Sequence, residues 1–266
     1  WGVGKRMGFQ VAPVYHDGTI FSMGTTGRLF AYRASDGKKL WQTEPEERMV
    51  EERKKHLARS YVLQASANYG WLQSLVYAGD SLVVPRQTTL FGLDPATGKR
   101  KWELQKVISR WSTPTIWRHE KKDYLLCATG GKPGEAQLNL VDPAAGKVLW
   151  SVDALHSTQF NLAPSSTRVM VNVGSKIMKE NPNGSSPKNA KGEAPFGLLG
   201  AYEISPKGST HAWTLPDKPH FLTPTWSDSL ARARTVIRNG YVYHTTGGPD
   251  KTTDRRFIIA REDTGE

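Results

Sequence analysis

One cysteine in 266 residues, Cys127, excludes a disulfide framework and any Cys-x-x-Cys metal or redox pair. Its place in the alternating stretch Tyr124 to Ala128 predicts a buried thiol that packs as a small hydrophobe. No apolar run approaches the roughly 18 residues that cross a bilayer as a helix, so no transmembrane segment is expected. The seven histidines make no His-x-x-x-His pair, and no Asp-rich calcium loop is present. Gly2-x-Gly4-x-x-x-Gly8 misses the dinucleotide spacing by one residue and has no strand before it, which excludes that phosphate cradle. Acidic residues are the minority charge: 25 Asp and Glu against 36 Lys and Arg give a net charge of +11. A basic surface attracts polyanions, but here the charge is spread out and its one dense run reads as a helix, so no nucleic-acid partner is expected.

What the chain does have is repetition. Ala31 to Trp41 reads AYRASDGKKLW, and the phrase returns as GLDPATGKRKW at Gly92 to Trp102 and as LVDPAAGKVLW at Leu140 to Trp150. A fourth copy, AYEISPKGSTHAW from Ala201 to Trp213, carries two extra residues, and IAREDTGE from Ile259 to Glu266 begins a fifth. The tryptophans stand 61, 48 and 63 residues apart, and Trp1 lies 40 before Trp41. Each interval holds about one four-stranded sheet plus insertions.

Turn chemistry sets the strand limits. Gln10 to Tyr15 is a short apolar run closed by His16-Asp17-Gly18; Thr19 to Met23 alternates and is closed by Thr25-Thr26-Gly27. Leu29 to Arg33 alternates again, and Asp36-Gly37 turns the chain into Lys39 to Trp41, the strongest short hairpin signal. Four such strands make a meander, and meanders around an axis make an all-β propeller with antiparallel blades. An indole at each blade's end packs flat on the next blade and offers one N–H to its backbone, so Trp41, Trp102, Trp150 and Trp213, with Gly37, Gly98 and Gly146 in the turns, are read as a structural clasp.

The spacing Ala-x-Asp-x-x-Thr-Gly-Lys-x-x-Trp resembles the tryptophan-docking motif of the quinoprotein, or PQQ-like, propellers. Arg33 and Arg261 stand where that motif has Asp, and Phe91-Gly92 and Asn139-Leu140 vary the preceding strand. The whole chain is read as one propeller domain, 1–266, with repeat units at about 1–41, 42–102, 103–150, 151–213 and 214–266. Both ends fall inside the motif and no initiator Met is present, which points to a piece of a seven- or eight-bladed propeller. A closed five-bladed ring is the alternative.

Two insertions interrupt the repeats. Residues 43–60 read as a helix: Thr43 and Glu46 form a capping box, Lys54, Lys55 and Arg59 lie toward its end, and Val50, Leu57 and Tyr61 make a narrow apolar stripe. Residues 176–197 contain NPNGSSPKNAKGEAP and read as a flexible loop, in which Asn183-Gly184-Ser185 is a cheap sequon match. Gly79-Asp80-Ser81-Leu82 spells a hydrolase signature, but it aligns with Asp17-Gly18-Thr19-Ile20 and Asn239-Gly240-Tyr241-Val242 and is read as a hairpin turn.

Propeller geometry directs a ligand to the axial funnel, lined here by Gly2 to Phe9, Glu103 to Ser112, Ser151 to Asn161 and Leu215 to Thr235. Those segments offer Arg6, Arg110, Trp111, His156 and Asn161, a mixture suited to an anionic or sugar-like ligand. The resemblance carries two functional expectations. The first is a non-catalytic propeller without cofactor, similar to the propeller lipoproteins of outer-membrane protein assembly, periplasmic or secreted, binding a protein or polymer on its face or rim. The alternative is an alcohol or sugar dehydrogenase that uses pyrroloquinoline quinone with Ca²⁺. The adjacent-cysteine disulfide of many such enzymes cannot form from one cysteine, and their Glu, Asn and Asp set does not map onto this sequence.

Overall fold

Tight turns with both central residues at positive φ recur at the start of the repeats and fix where each sheet begins. They fall at Asp17-Gly18 (40° and 73°), Gly79-Asp80 (54° and 56°), Glu120-Lys121 (47° and 65°) and Asn239-Gly240 (51° and 76°). That geometry matches the right-handed twist of the strands it joins. The computed structural model describes residues 12–24, 27–44, 73–109, 112–129, 136–155, 162–173, 194–195, 198–215, 221–222, 234–245 and 257–266. All the regular elements among them are strands.

The first blade is the meander β1 (Val14–His16), β2 (Thr19–Met23), β3 (Leu29–Arg33) and β4 (Lys39–Gln42). The second is β5 (Val76–Ala78), β6 (Ser81–Arg86), β7 (Thr89–Leu93) and β8 (Arg100–Leu104). The third comprises β9 (Thr115–His119), β10 (Lys122–Ala128), β11 (Ala136–Asp142) and β12 (Lys147–Leu155). The fourth contains β13 (Ala163–Pro164) and β14 (Arg168–Val173), then, past β15 (Ala194–Pro195), β16 (Leu198–Ser205) and β17 (Gly208–Leu215). The pair Leu155↔Val173 joins β12 to β14, so these two blades run on as one eight-stranded sheet. β18 (Phe221–Leu222) pairs with β15, and β19 (Arg234–Arg238), β20 (Tyr241–Thr245) and β21 (Phe257–Arg261) form a three-stranded sheet.

Several of these details refine the sequence reading. β12 runs on through Leu155, into the segment read as a funnel connection. β15 lies inside the stretch read as a loop at 176–197. Thr43, read as a helix cap, donates its N–H to the Leu29 carbonyl and accepts the Leu29 N–H on its hydroxyl, which extends the β3–β4 ladder. The remainder of the helical reading, 45–60, and the sequon lie outside the described residues.

The chain divides into two compact units, Trp1–Pro114 with Asp142–Lys147, and Thr115–Val141 with Val148–Glu266. In the first, alternation brings Phe21, Met23, Leu29 and Ala31 of one blade against Leu75, Leu82, Val84 and Leu93 of the next. In the second, Trp117, Leu126, Leu138, Leu140, Val169 and Val171 form one core, and Met170, Leu199, Ala201, Trp213 and Val242 another. Each large buried aliphatic among them contributes about 1.5–3 kcal/mol relative to exposure.

Candidate functional site

Each motif tryptophan lends its indole N–H to the turn of the following repeat. Trp41 donates to the Pro95 carbonyl (2.8 Å), Trp102 to Pro143 (2.8 Å), Trp150 to Ser205 (2.8 Å) and Trp213 to Glu262 (2.9 Å). The indoles lie on the turn glycines. A Cβ on Gly98 would stand 2.9 Å from Trp41 Cε3, one on Gly265 would stand 2.9 Å from Trp213 Cδ2, and one on Gly146 would collide with Trp102. On its other side the Trp102 ring leaves no room for a side chain at Gly92, its cross-strand partner.

The turn backbone is constant while its side chains vary. The glycine N–H bonds to the carbonyl of Arg33, Asp94, Asp142 or Arg261 at 2.8–2.9 Å. Where Asp holds that place, its carboxylate accepts the next N–H groups, as Asp94 does from Ala96 and Thr97. Where Arg holds it, an ion pair replaces those bonds: Arg33 with Asp36 and Arg261 with Asp263, both at 2.9 Å. Both carboxylates are held below the usual range, Asp36 first by the Lys38 N–H and Asp263 first by its bond from Arg261. The fourth copy differs: Gly208 pairs with Ser205 across a two-residue turn, and nothing crowds it. The two extra residues therefore change the hairpin and leave the Trp150 bond in place.

Two linking side chains carry no repeat signal. Gln73 is fully buried, and its Nε2 lies 3.0 Å from the Gln87 carbonyl, 2.8 Å from that of Ser109 and 3.0 Å from that of Ser112. It thereby anchors the segment after β8. Trp117 is buried, stacks on His119 and donates to the Ser166 carbonyl at 3.3 Å.

In the first unit a cleft of about 290 Å³ is lined by Thr43, Glu44, Arg86, Phe91 and Arg100 over Leu29, Val84 and Leu93. The Arg86 and Arg100 guanidiniums lie 5.3 and 4.6 Å from the Phe91 ring centre. Burial, and then repulsion from Arg100, pull the Arg86 guanidinium down to about 10. Arg100 pairs with Glu103 at 2.7 Å and Arg28 with Glu44 at 3.5 Å. A lining of guanidiniums and an aromatic face receives carboxylates or sugar-like groups better than cations. A second cleft, about 440 Å³, lies in the second unit between Ser166–Arg168, Asn239–Tyr241 and Arg261–Asp263. Its cations are paired within the chain, Arg168 with Glu203 and Arg261 with Asp263.

Arg6, Arg110, Trp111, His156 and Asn161, the funnel residues expected from the sequence, lie outside the described residues. Ser81, of the hydrolase-like tetrapeptide, is buried next to a hairpin turn, and its hydroxyl accepts a bond from Lys101. That is the hairpin role the sequence alignment indicated. Cys127 is fully buried, and burial pushes its thiol far up. Among the described residues no three His, Cys, Asp or Glu side chains come together to hold a metal ion, and no helix is long and apolar enough to cross a membrane.

A family model described as outer membrane protein assembly factor BamB matches residues 1–183. Quinohemoprotein alcohol dehydrogenase ADH IIB of Pseudomonas putida is 32% identical over 151 residues, 54% of this chain and 20% of that protein. The chain thus matches about a fifth of the length of that relative. Among solved structures, quinohemoprotein alcohol dehydrogenase from Comamonas testosteroni superposes with a TM-score of 0.61 at 13% identity, covering 97% of this chain and 42% of the other. The ADHIIG enzyme of Pseudomonas putida gives 0.58 at 14% identity, covering 96% and 40%. At such identities the likeness establishes the propeller fold.

Proposed function

Because this chain belongs to the PQQ-like β-propeller repeat family, through the assembly-factor model that matches it, we propose that it is a non-catalytic propeller scaffold that binds protein partners on its face or rim. The observation that carries this reading is what the motif residues do. All four described docking tryptophans give their indole N–H groups to neighbouring turns, so the repeated phrase builds a frame. The cleft beside Arg86, Phe91 and Arg100 is able to take acidic side chains. The working compartment is periplasmic or secreted, in keeping with the outer-membrane description of the family.

Binding of the immobilised chain to detergent-solubilised outer-membrane protein assembly complexes tests the proposal. Saturable binding at micromolar concentrations, weakened by Arg100→Glu, is expected. Absence of binding, with the chain folded by circular dichroism, contradicts it.

The 32% identical stretch favours one second reading, a quinone-dependent alcohol dehydrogenase. Among the described residues no three His, Cys, Asp or Glu side chains come together to hold a metal ion. The one cysteine also cannot form an adjacent-cysteine disulfide.

A further inference from the structure

The cleft between the first two blades sets two guanidiniums over an apolar floor, and both of its walls belong to the first unit. Alternation puts Val84 and Arg86 of β6 on one face of their sheet, where Val84 pairs with Phe91 and Leu93 follows two residues on. Arg100 opens β8 opposite Leu93. Leu29, Val84 and Leu93 are buried beneath, and the Arg86 and Arg100 guanidiniums lie 5.3 and 4.6 Å from the same Phe91 ring centre. Arg86 also reaches across to the first blade, donating to the Gly27 carbonyl at 3.1 Å. Burial, and then repulsion from Arg100, act against its charge, and an anion placed between the two guanidiniums offsets that repulsion. The carboxylates nearby are held unequally. Glu103 accepts from Arg100 at 2.7 Å and from the Gln105 amide at 3.1 Å. Glu44 lines the cleft, yet it reaches Arg28 only at 3.5 Å and its side chain is 87% exposed, so that pair holds it weakly.

Resting on the reading of the chain as a scaffold, we propose that this cleft receives one glutamate side chain of a partner protein. Its carboxylate lies between Arg86 and Arg100, and its methylene groups lie over Leu29, Val84 and Leu93. A planar carboxylate matches the forked donors of guanidiniums, and the apolar floor takes the stem that carries it. A volume of about 290 Å³ suits a single side chain. Glu44, of the same sign as the ligand and loosely held, opposes binding and so tunes its affinity.

Titration of the full chain with N-acetylglutamate amide, followed by NMR of the arginine side-chain Nε–H groups, tests the proposal. Shifts at Arg86 and Arg100 are expected to saturate at roughly millimolar probe. The neutral isostere N-acetylglutamine amide is expected to bind at least about tenfold more weakly, and Arg100→Gln to weaken the glutamate probe about tenfold. Glu44→Gln, which removes the opposing charge, is expected to tighten it about threefold. Arg100→Lys, which keeps the charge and loses the fork, carries the comparison should Arg100→Gln lose its sheet signal in circular dichroism. No saturation, equal affinity for the glutamine probe, tighter binding of inorganic phosphate, or affinity unchanged in the Arg100 variants overturns the proposal. Binding to assembly complexes by a chain that fails these titrations removes the cleft and keeps the scaffold. Glutamate binding without complex binding removes the scaffold and keeps a carboxylate site.

Discussion

Gly146 lies against the Trp102 indole at a distance that admits no side chain: a Cβ placed there meets Trp102 Cγ, Cβ and Cδ1. The same residue holds φ at +63°, and the neighbouring Pro143 carbonyl accepts the indole N–H. One glycine thus meets two demands, a left-handed turn and a buried ring.

Gly146→Ala is therefore expected to cost about 2–4 kcal/mol, from left-handed strain plus overpacking. Gly37→Ala, with φ at +70° and nothing within 4 Å, is expected to cost only the strain, about 1–2 kcal/mol. Urea denaturation of both variants measures the difference, and equal losses would count against indole docking at Gly146.

Gln73→Ala removes an amide that reaches three carbonyls, Gln87, Ser109 and Ser112. A loss of about 2–4 kcal/mol is expected, since buried acceptors lose their donor. Hydrogen exchange is expected to quicken first around residues 105–109 and at Ser112, and a uniform change across both units would contradict a local anchor.

His244 is buried beside Thr235, and desolvation pulls its imidazole down to about 4. The unfolded chain binds the proton more tightly, near the ordinary value of about 6.5, so stability is full above that pH and falls between about 6.5 and 4. The loss approaches about 2–3 kcal/mol at the acid end of the window. Denaturant midpoints measured across this range are expected to decline more steeply in the parent chain than in His244→Asn.

Cys127 is sealed in β10, with its thiol raised by burial. The native chain is expected to resist Ellman's reagent and the denatured chain to react with one equivalent. Rapid native labelling would contradict the packing of that sheet.

Much of the frame was legible in the sequence because repetition and turn residues act locally. Thr19–Met23 and Leu29–Arg33 are strands with the limits their alternation sets, and Lys39 to Trp41 extends by one residue. The bonds that Trp41, Trp102, Trp150 and Trp213 give to turn carbonyls use the one N–H donor an indole carries. Gln73 was not legible, because its partners lie 14, 36 and 39 residues away and a lone glutamine has no period. The Leu155↔Val173 link likewise depends on strand length in space, which insertion-rich segments do not encode locally. The Arg86 and Phe91 cleft arises from cross-strand neighbours on two blades, where each residue alone looks like ordinary strand surface.

The claim that the chain is a scaffold is tested most directly by adding pyrroloquinoline quinone and Ca²⁺ while following tryptophan fluorescence and alcohol-dependent dye reduction. Quenching without saturation up to roughly millimolar cofactor, where binding is worth only about −4 kcal/mol, together with no dye reduction, is the predicted result. Saturable quenching accompanied by dye reduction would contradict the scaffold and make the chain a quinone-dependent dehydrogenase.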